Sequence, residues 1–299
     1  MNRENLKPAR TYEQQIVILK DRGLIISDEK FAKSILQQTN YYRLSAYSLG
    51  LRDDDNNFIN NSTIEQIYSI YKFDEKLRHL LFSLIEPIEI RLRSEISYYL
   101  GTNFGNVSHL SFELCKDEKQ HLLFLREYYN GISKSFSADC VKHNIKKYGE
   151  LPIWAAVENL TFGSLSKFYG NLKNEHQNEI AKHFNSDIER LSGWFESLCE
   201  IRNICAHSGR IYNRRLTKTP KLYNGDNKGF NDTTHLKIFS RIIILKKIYN
   251  GQGRFIEFFN KLNNLIERYK NDINMNHLGF PNNWQQRLNK ICPETNIEY

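Results

Sequence analysis

Within Leu198–Arg215, LCEIRNICAHSGRIYNRR, Arg202 is followed by Asn203 and, after four intervening residues, by His207. An imidazole titrates near neutral pH and can take or give a proton, whereas a guanidinium stays charged and grips phosphate oxygens two at a time. Together they are a minimal set for transesterification of RNA, because the 2′-hydroxyl of the substrate is itself the nucleophile and no metal is required. Arg210, Arg214 and Arg215 follow at once and could hold the RNA backbone. On an ideal helix, residues five apart point about 140° away from each other, while Asn203 and His207, four apart, share a face. Arg202 can therefore converge on His207 only if the helix ends near Ser208 or if a second copy of the chain completes the site around a two-fold axis. Glu196 and Glu200 are the nearest acids and could restrain Arg202 before substrate arrives. The plainer alternative is that Arg202 only salt-bridges one of them while His207 helps to end a helix.

Other chemistries lack their residues. The sequence has no GxxxxGK[ST] loop, no GxGxxG after a strand, no HExxH and no GxSxG. No cofactor is implied, and the acids form no evident metal cluster. Cys115, Cys140, Cys199, Cys205 and Cys292 are odd in number and scattered, with no CxxC pair, so buried or inert thiols in a reducing, cytoplasmic setting are expected and a structural zinc site is not. The N-terminus has no apolar run or cleavage pattern of a secretory signal, and runs such as Ile242–Leu245 are far too short to span a bilayer. Lys and Arg number 42 against 34 Asp and Glu, a formal net charge of +8 that suits an anionic partner, nucleic acid first.

The elements that must position these residues read as helices throughout, with almost no strand alternation. Thr11 and Gln14 form a capping-box pattern for a first helix that stops at Gly23, and Asp28 can cap a second one carrying Phe31, Ile35 and Leu36. A glycine between two short helices raises the possibility of a DNA reader over Thr11–Leu36, although ordinary packed helices explain it as well. Tyr41, Tyr42 and Tyr47 surround Arg43; they could stack on bases, but aromatic packing with Arg43 in a salt bridge is the favoured reading. Asp53–Asn61 reads as an exposed loop. From Ile64 to Leu100 an apolar stripe recurs at helical spacing, with Asp74 its one acidic exception; Pro87 should kink or divide it and Gly101 should end it. Glu89 and Arg93 can pair across one turn. Further helices are expected over Phe112–Ile132, from Pro152 through Phe162 with a break at Gly163 and Ser164, from Ser186 or Asp187 to Ser208, and over Thr234–Tyr249 and Arg254–Ile273. A Lys-, Asn- and Gly-rich loop covers Lys218–Asp232, and HLGFPNNW reads as a turn with buried aromatics. No repeat or long linker forces a domain boundary.

Several blocks carry a family likeness. KPARTYEQQIVILKDRGLII, NYYRLSAY, IYKFDEKLRHLLFSLIEPIEIRLRSEISYYLG, LPIWAAVENLTFGSLSKFYGNL, IRNICAH with its trailing arginines, and GFPNNW resemble the Abi-like abortive-infection family (the AbiD/AbiF proteins) in order, over roughly residues 7 to 290. That family looks like a branch of the HEPN superfamily, whose motif is Arg, four to six residues, His, with a polar residue after the Arg; Arg202, Asn203 and His207 match it. The resemblance implies an all-α fold: a multi-helix HEPN-type bundle at 64–290 with an N-terminal helical extension at 11–60, in one domain spanning 1–299. It also implies a dimeric, metal-independent endoribonuclease of phage defence, or a toxin held by an antitoxin of protein or RNA. Two motifs usually make one site in such enzymes, so this chain, with one motif, would form a homodimer. The main alternative is a non-catalytic module that recognises a structured RNA or a phage component.

Overall fold

The computed structural model describes residues 8–59, 61–228, 230 and 233–289. Cys292 and the end of the Lys218–Asp232 loop lie outside them. Thirteen α-helices and short 3₁₀ turns make up the described residues, and the only strand-like pairings are isolated bridges such as Ile25 with Thr63. The all-α expectation holds.

Local capping sets the N-terminal elements. The Thr11 hydroxyl accepts from the Gln14 amide and the Gln14 side chain returns the bond, starting α1 (Tyr12–Asp21). Asp28 accepts from the amides of Lys30 and Phe31 to start α2 (Glu29–Thr39). A short α3 (Tyr41–Ser45) follows and runs into a 3₁₀ turn, Ala46–Leu51. This region packs on the helix that follows, with Phe31 edge-on to Tyr68 and Tyr47 edge-on to Tyr71 at 5.9 and 5.3 Å between ring centroids.

The backbone of the molecule is α4 (Ile64–Phe104), 41 residues long, about 60 Å at 1.5 Å per residue. Its stripe of Ile67, Ile70, Phe73, Leu77, Leu81, Leu84, Ile88, Leu92 and Ile96 is buried. Pro87 does not divide it: the helix continues through that position. Proline leaves the Ser83 carbonyl without its amide donor; the next carbonyl along, that of Leu84, accepts from the Tyr249 hydroxyl at 2.8 Å. Nor does Gly101 stop it. A Cβ at Gly101 would lie 3.2 Å from the Ile153 side chain, so this glycine permits close packing, and the helix ends three residues on, before Gly105 at φ +93°.

The middle of the chain departs most from the sequence reading. Phe112–Leu114 is a 3₁₀ turn, and α5 starts only at Glu118, capped by Asp117, and runs to Lys134. After α6 (Asp139–Tyr148), Pro152 opens only a four-residue α7 (Ile153–Ala156) and one 3₁₀ turn. The break comes at Leu160, not at Gly163–Ser164. Arg93 takes the Val157 and Leu160 carbonyls at 3.1 and 2.9 Å, satisfying acceptors that a continuing helix would use itself. Thr161 then caps α8 (Phe162–Asn171), which contains Gly163 and Ser164. Next come α9 (Asn174–Lys182), α10 (Ile188–Ala206), α11 (Ile238–Ile248), α12 (Arg254–Tyr269) and α13 (Trp284–Asn289).

Helices α10, α12, α7, α8 and α9 all pack on α4, and α10 also touches α8, α9 and α11. Buried apolar side chains form one continuous cluster from Ile16 to Leu288. The turn before α13 holds Phe280 edge-on to Trp284 at 5.3 Å, both buried, as the sequence suggests. Among the described residues no helix is long and apolar enough to cross a membrane.

Candidate active site

Asp187 starts α10 by accepting from the Arg190 amide, and Leu191, Trp194, Phe195, Leu198 and Ile201 turn inward along it. The helix stops at Ala206. His207 is the C-cap at φ −95°, ψ 18°, Ser208 is left-handed at φ +53°, and the Gly209 amide donates back to the Ile204 carbonyl at 2.7 Å. The helix therefore ends next to Ser208, where the sequence places its end. His207 stands exposed at the helix end, one residue past the last helical turn.

Arg202 is not held by either acid expected from the sequence. Glu200 accepts instead from the amides of Thr217 and Lys218, and Glu196 pairs with Lys218. The restraining acid is Glu89 on α4. Arg202 Nε and Nη2 donate to the two Glu89 oxygens at 2.7 and 2.6 Å, a bidentate contact across the α4–α10 interface. Glu89 also takes Arg93 Nη2 at 2.7 Å, so the i,i+4 pair is present, but as part of a triad. Burial pushes the Glu89 carboxyl up, and bonds from Arg202 and Arg93 overcome that and hold it below the ordinary carboxylate range. Glu89 in turn raises Arg202 further above its ordinary value. Arg202 Nη1 donates to Asn203 Oδ1 at 3.1 Å. Of five guanidinium N–H groups, three are engaged and two remain.

The structure thus joins Arg202 to Asn203 side chain to side chain. His207 meets Asn203 only through the backbone, its amide on the Asn203 carbonyl at 3.0 Å. Neither His207 nor Arg214 nor Arg215 has a side-chain hydrogen bond among the described residues, and all three are exposed. Arg210 is different: half-buried, it donates to the Tyr212 carbonyl at 2.5 Å, and burial lowers it. Lys237, which the sequence reading passed over, joins this strip. Burial lowers its ammonium first, and repulsion from Arg210 and Arg215 lowers it further. Cationic groups close enough to repel one another make a natural anion-binding surface.

Two further positions support the loop after His207. Among the described residues Arg43 makes no salt bridge; its Nη1 donates to the Ser208 carbonyl at 2.6 Å, tying the N-terminal region to the end of α10. Asp74, fully buried, accepts from Tyr47 Oη, Arg78 Nη1 and the amides of Ile211 and Tyr212, the last at 2.7 Å. The signal for Glu89 was available in the same form as that for Asp74. An acid among the buried positions of an apolar stripe must find cations or donors from another element, and only Asp74 stood out because it interrupts the stripe itself.

Among the described residues no three His, Cys, Asp or Glu side chains are grouped to hold a metal ion. Cys115, Cys140, Cys199 and Cys205 are free thiols; Cys140 is exposed, and burial pushes Cys115 and Cys205 up to about 11 and 12.

Residues 34–213, well over half the chain, match the family model described as Abi-like protein. Searches of curated proteins and of solved structures return no match.

Proposed function

The chain belongs to the Abi-like protein family, and from that premise we propose that it is a metal-independent endoribonuclease of the HEPN type, acting in phage defence by abortive infection or as a toxin. The observation that carries the reading is the presentation of Arg202. Glu89 occupies the Nε–Nη2 edge of its guanidinium, fixing the group while leaving two N–H bonds for a phosphate. The exposed Asn203 lies against it and the exposed His207 ends the same helix.

In this mechanism the substrate's 2′-hydroxyl attacks the adjacent phosphorus. His207 takes the 2′-proton or delivers one to the departing 5′-oxygen. Arg202 stabilises the charge that builds on the non-bridging oxygens, a contribution of several kcal/mol where water is excluded. Asn203 positions Arg202 or the phosphate, and Arg210, Arg214 and Arg215 hold the flanking backbone. Products end in a 2′,3′-cyclic phosphate. Because each chain carries one motif, the working unit is a homodimer with two motifs around one cleft; exposed Ile90 and Tyr98 on α4, beyond Glu89, offer apolar area for that contact.

Incubating mixed RNAs with the protein in EDTA and sequencing the ends tests the chemistry. Wild type should cleave, His207→Ala should remove cleavage, and Arg202→Ala should lower it by about 10²–10³. No cleavage by wild type, or unchanged cleavage by the double variant, would sink the reading. Sedimentation should give a dimer, and an active monomer would remove the shared site. Binding without cleavage is the second reading. It is favoured by the absence, among the described residues, of any side-chain partner that would fix the His207 ring, and it predicts RNA binding retained in His207→Ala with intact RNA throughout.

A further inference from the structure

A cleft of about 350 Å³ opens beside the end of α10, lined by Asn40, Tyr42, Arg43, Tyr47, Ser208 and Arg210. One wall begins at Ser208, the residue after His207. Tyr42 is 85% exposed, the most exposed large aromatic among the described residues. It stays out of the core while its neighbour Tyr47, 1% exposed, packs beneath. The backbone enforces this difference. Asn40 adopts φ +63°, ψ 138°, and its side chain accepts the Tyr42 amide at 2.8 Å, turning the chain sharply into α3. The two guanidiniums of the cleft are each anchored by one bond, Arg43 to the Ser208 carbonyl and Arg210 to the Tyr212 carbonyl, and keep further N–H groups for a ligand. Asp74 makes the cleft rigid, since one carboxylate holds the Tyr47 hydroxyl of its floor and the Ile211 and Tyr212 amides beyond its wall.

An exposed ring, two arginines and a preformed volume in the range of small-ligand sites suit one kind of guest. We propose that this cleft holds an unpaired nucleotide next to the scissile phosphate, its base stacked on Tyr42 and its phosphate on Arg43 and Arg210. The proposal rests on the ribonuclease reading and deepens it, making single-stranded RNA the substrate. Bases of a duplex are already stacked and paired and cannot be splayed onto a ring without unpairing. Stacking on an aromatic face is tolerant of base identity, so the subsite selects strandedness before sequence.

Binding separates the two ideas. In the His207→Ala protein, which leaves RNA intact, the anisotropy of a labelled single-stranded oligoribonucleotide should report about tenfold weaker binding for Tyr42→Ala and a change within about twofold for Tyr42→Phe. A 2-aminopurine in the oligonucleotide should be quenched on binding by the tyrosine and phenylalanine forms but not by the alanine form. A duplex of the same sequence should bind more weakly and ignore Tyr42. Because Tyr42 is exposed, its variants should melt with the parent, which checks the fold. If Tyr42→Ala binds single strands as the parent does, or loses duplex binding equally, the subsite is wrong whatever the cleavage assay shows. If wild type cleaves nothing in EDTA while the Tyr42 dependence persists, the nuclease reading falls and the subsite stands.

Discussion

On α4 an acid is followed four residues later by an arginine twice, at Asp74–Arg78 and at Glu89–Arg93, and both pairs close, at 2.5 and 2.7 Å. The pairs differ in what else reaches the carboxylate. Around Asp74 the additional donors are a tyrosine hydroxyl and two backbone amides, and both side chains are 5% exposed or less. Around Glu89 the additional donor is the guanidinium of Arg202, 24% exposed and with N–H groups to spare. The first pair is closed on all sides and can only hold the fold together. The second sits at the α4–α10 interface with its outer member facing solvent, so it can hold a group ready for a ligand. An i,i+4 pair in the sequence does not distinguish these outcomes; the third partner does.

The largest expected effect tests the closed pair. Asp74→Ala leaves Arg78 buried without its counter-charge and frees the Ile211 and Tyr212 amides, and breaking such a buried pair costs about 3–5 kcal/mol. Urea denaturation should show that loss, and adding Arg78→Met should recover part of it. A loss below about 1 kcal/mol would mean that the loop after α10 is anchored elsewhere.

The same contrast explains what could be read in advance. The starts of α1, α2 and α10 were legible because a cap and its amide lie within three residues of each other: Thr11 with Gln14, Asp28 with Phe31, Asp187 with Arg190. The end of α10 at Ser208–Gly209 was legible for the same reason. Family membership was legible too, as blocks of residues in order. Pro87 and Gly101 misled because each is a local breaker overruled by the packing of a long buried helix, at Gly101 against Ile153. The break at Leu160 was illegible because Arg93, more than sixty residues away, takes the Val157 and Leu160 carbonyls. Glu89 escaped notice as Arg202's partner because 113 residues separate them, while Glu200, two residues from Arg202, is drawn away by the amides at 217 and 218. Tyr42 and Tyr47 look equivalent in sequence, and it is Tyr47 whose hydroxyl reaches Asp74, 27 residues on, while its ring packs on Tyr71.

The open pair should respond to mutation with the opposite balance. Arg202→Ala leaves Arg93 to neutralise Glu89, so stability should fall by only about 1 kcal/mol, in the range of partly exposed ion pairs. Cleavage should fall by about 10²–10³, the loss that follows removal of one group stabilising transition-state charge. Melting and cleavage measured on one preparation settle it. A stability loss as large as that of Asp74→Ala would make Arg202 a structural residue and close the comparison.

The smallest effect distinguishes the two carboxylates by acid. Glu89 is held below its ordinary value near 4.5 by Arg202 and Arg93, so around that pH the folded chain binds fewer protons at this site than the unfolded chain. Its contribution is then complete above the ordinary glutamate value and is lost as pH falls through the lowered one. Burial raises Asp74, so that group carries the opposite sign and acid does not strip stability from its pair. Glu89→Gln should therefore flatten the acid limb of a stability–pH curve, by less than about 1 kcal/mol given the partial exposure of Arg202. It should also leave the guanidinium less firmly fixed at neutral pH, lowering the cleavage rate while the fold persists. Identical acid limbs for wild type and Glu89→Gln would show that the triad draws no stability from the charge on Glu89. Arg202 would then owe its position to packing between α4 and α10 rather than to the carboxylate behind it.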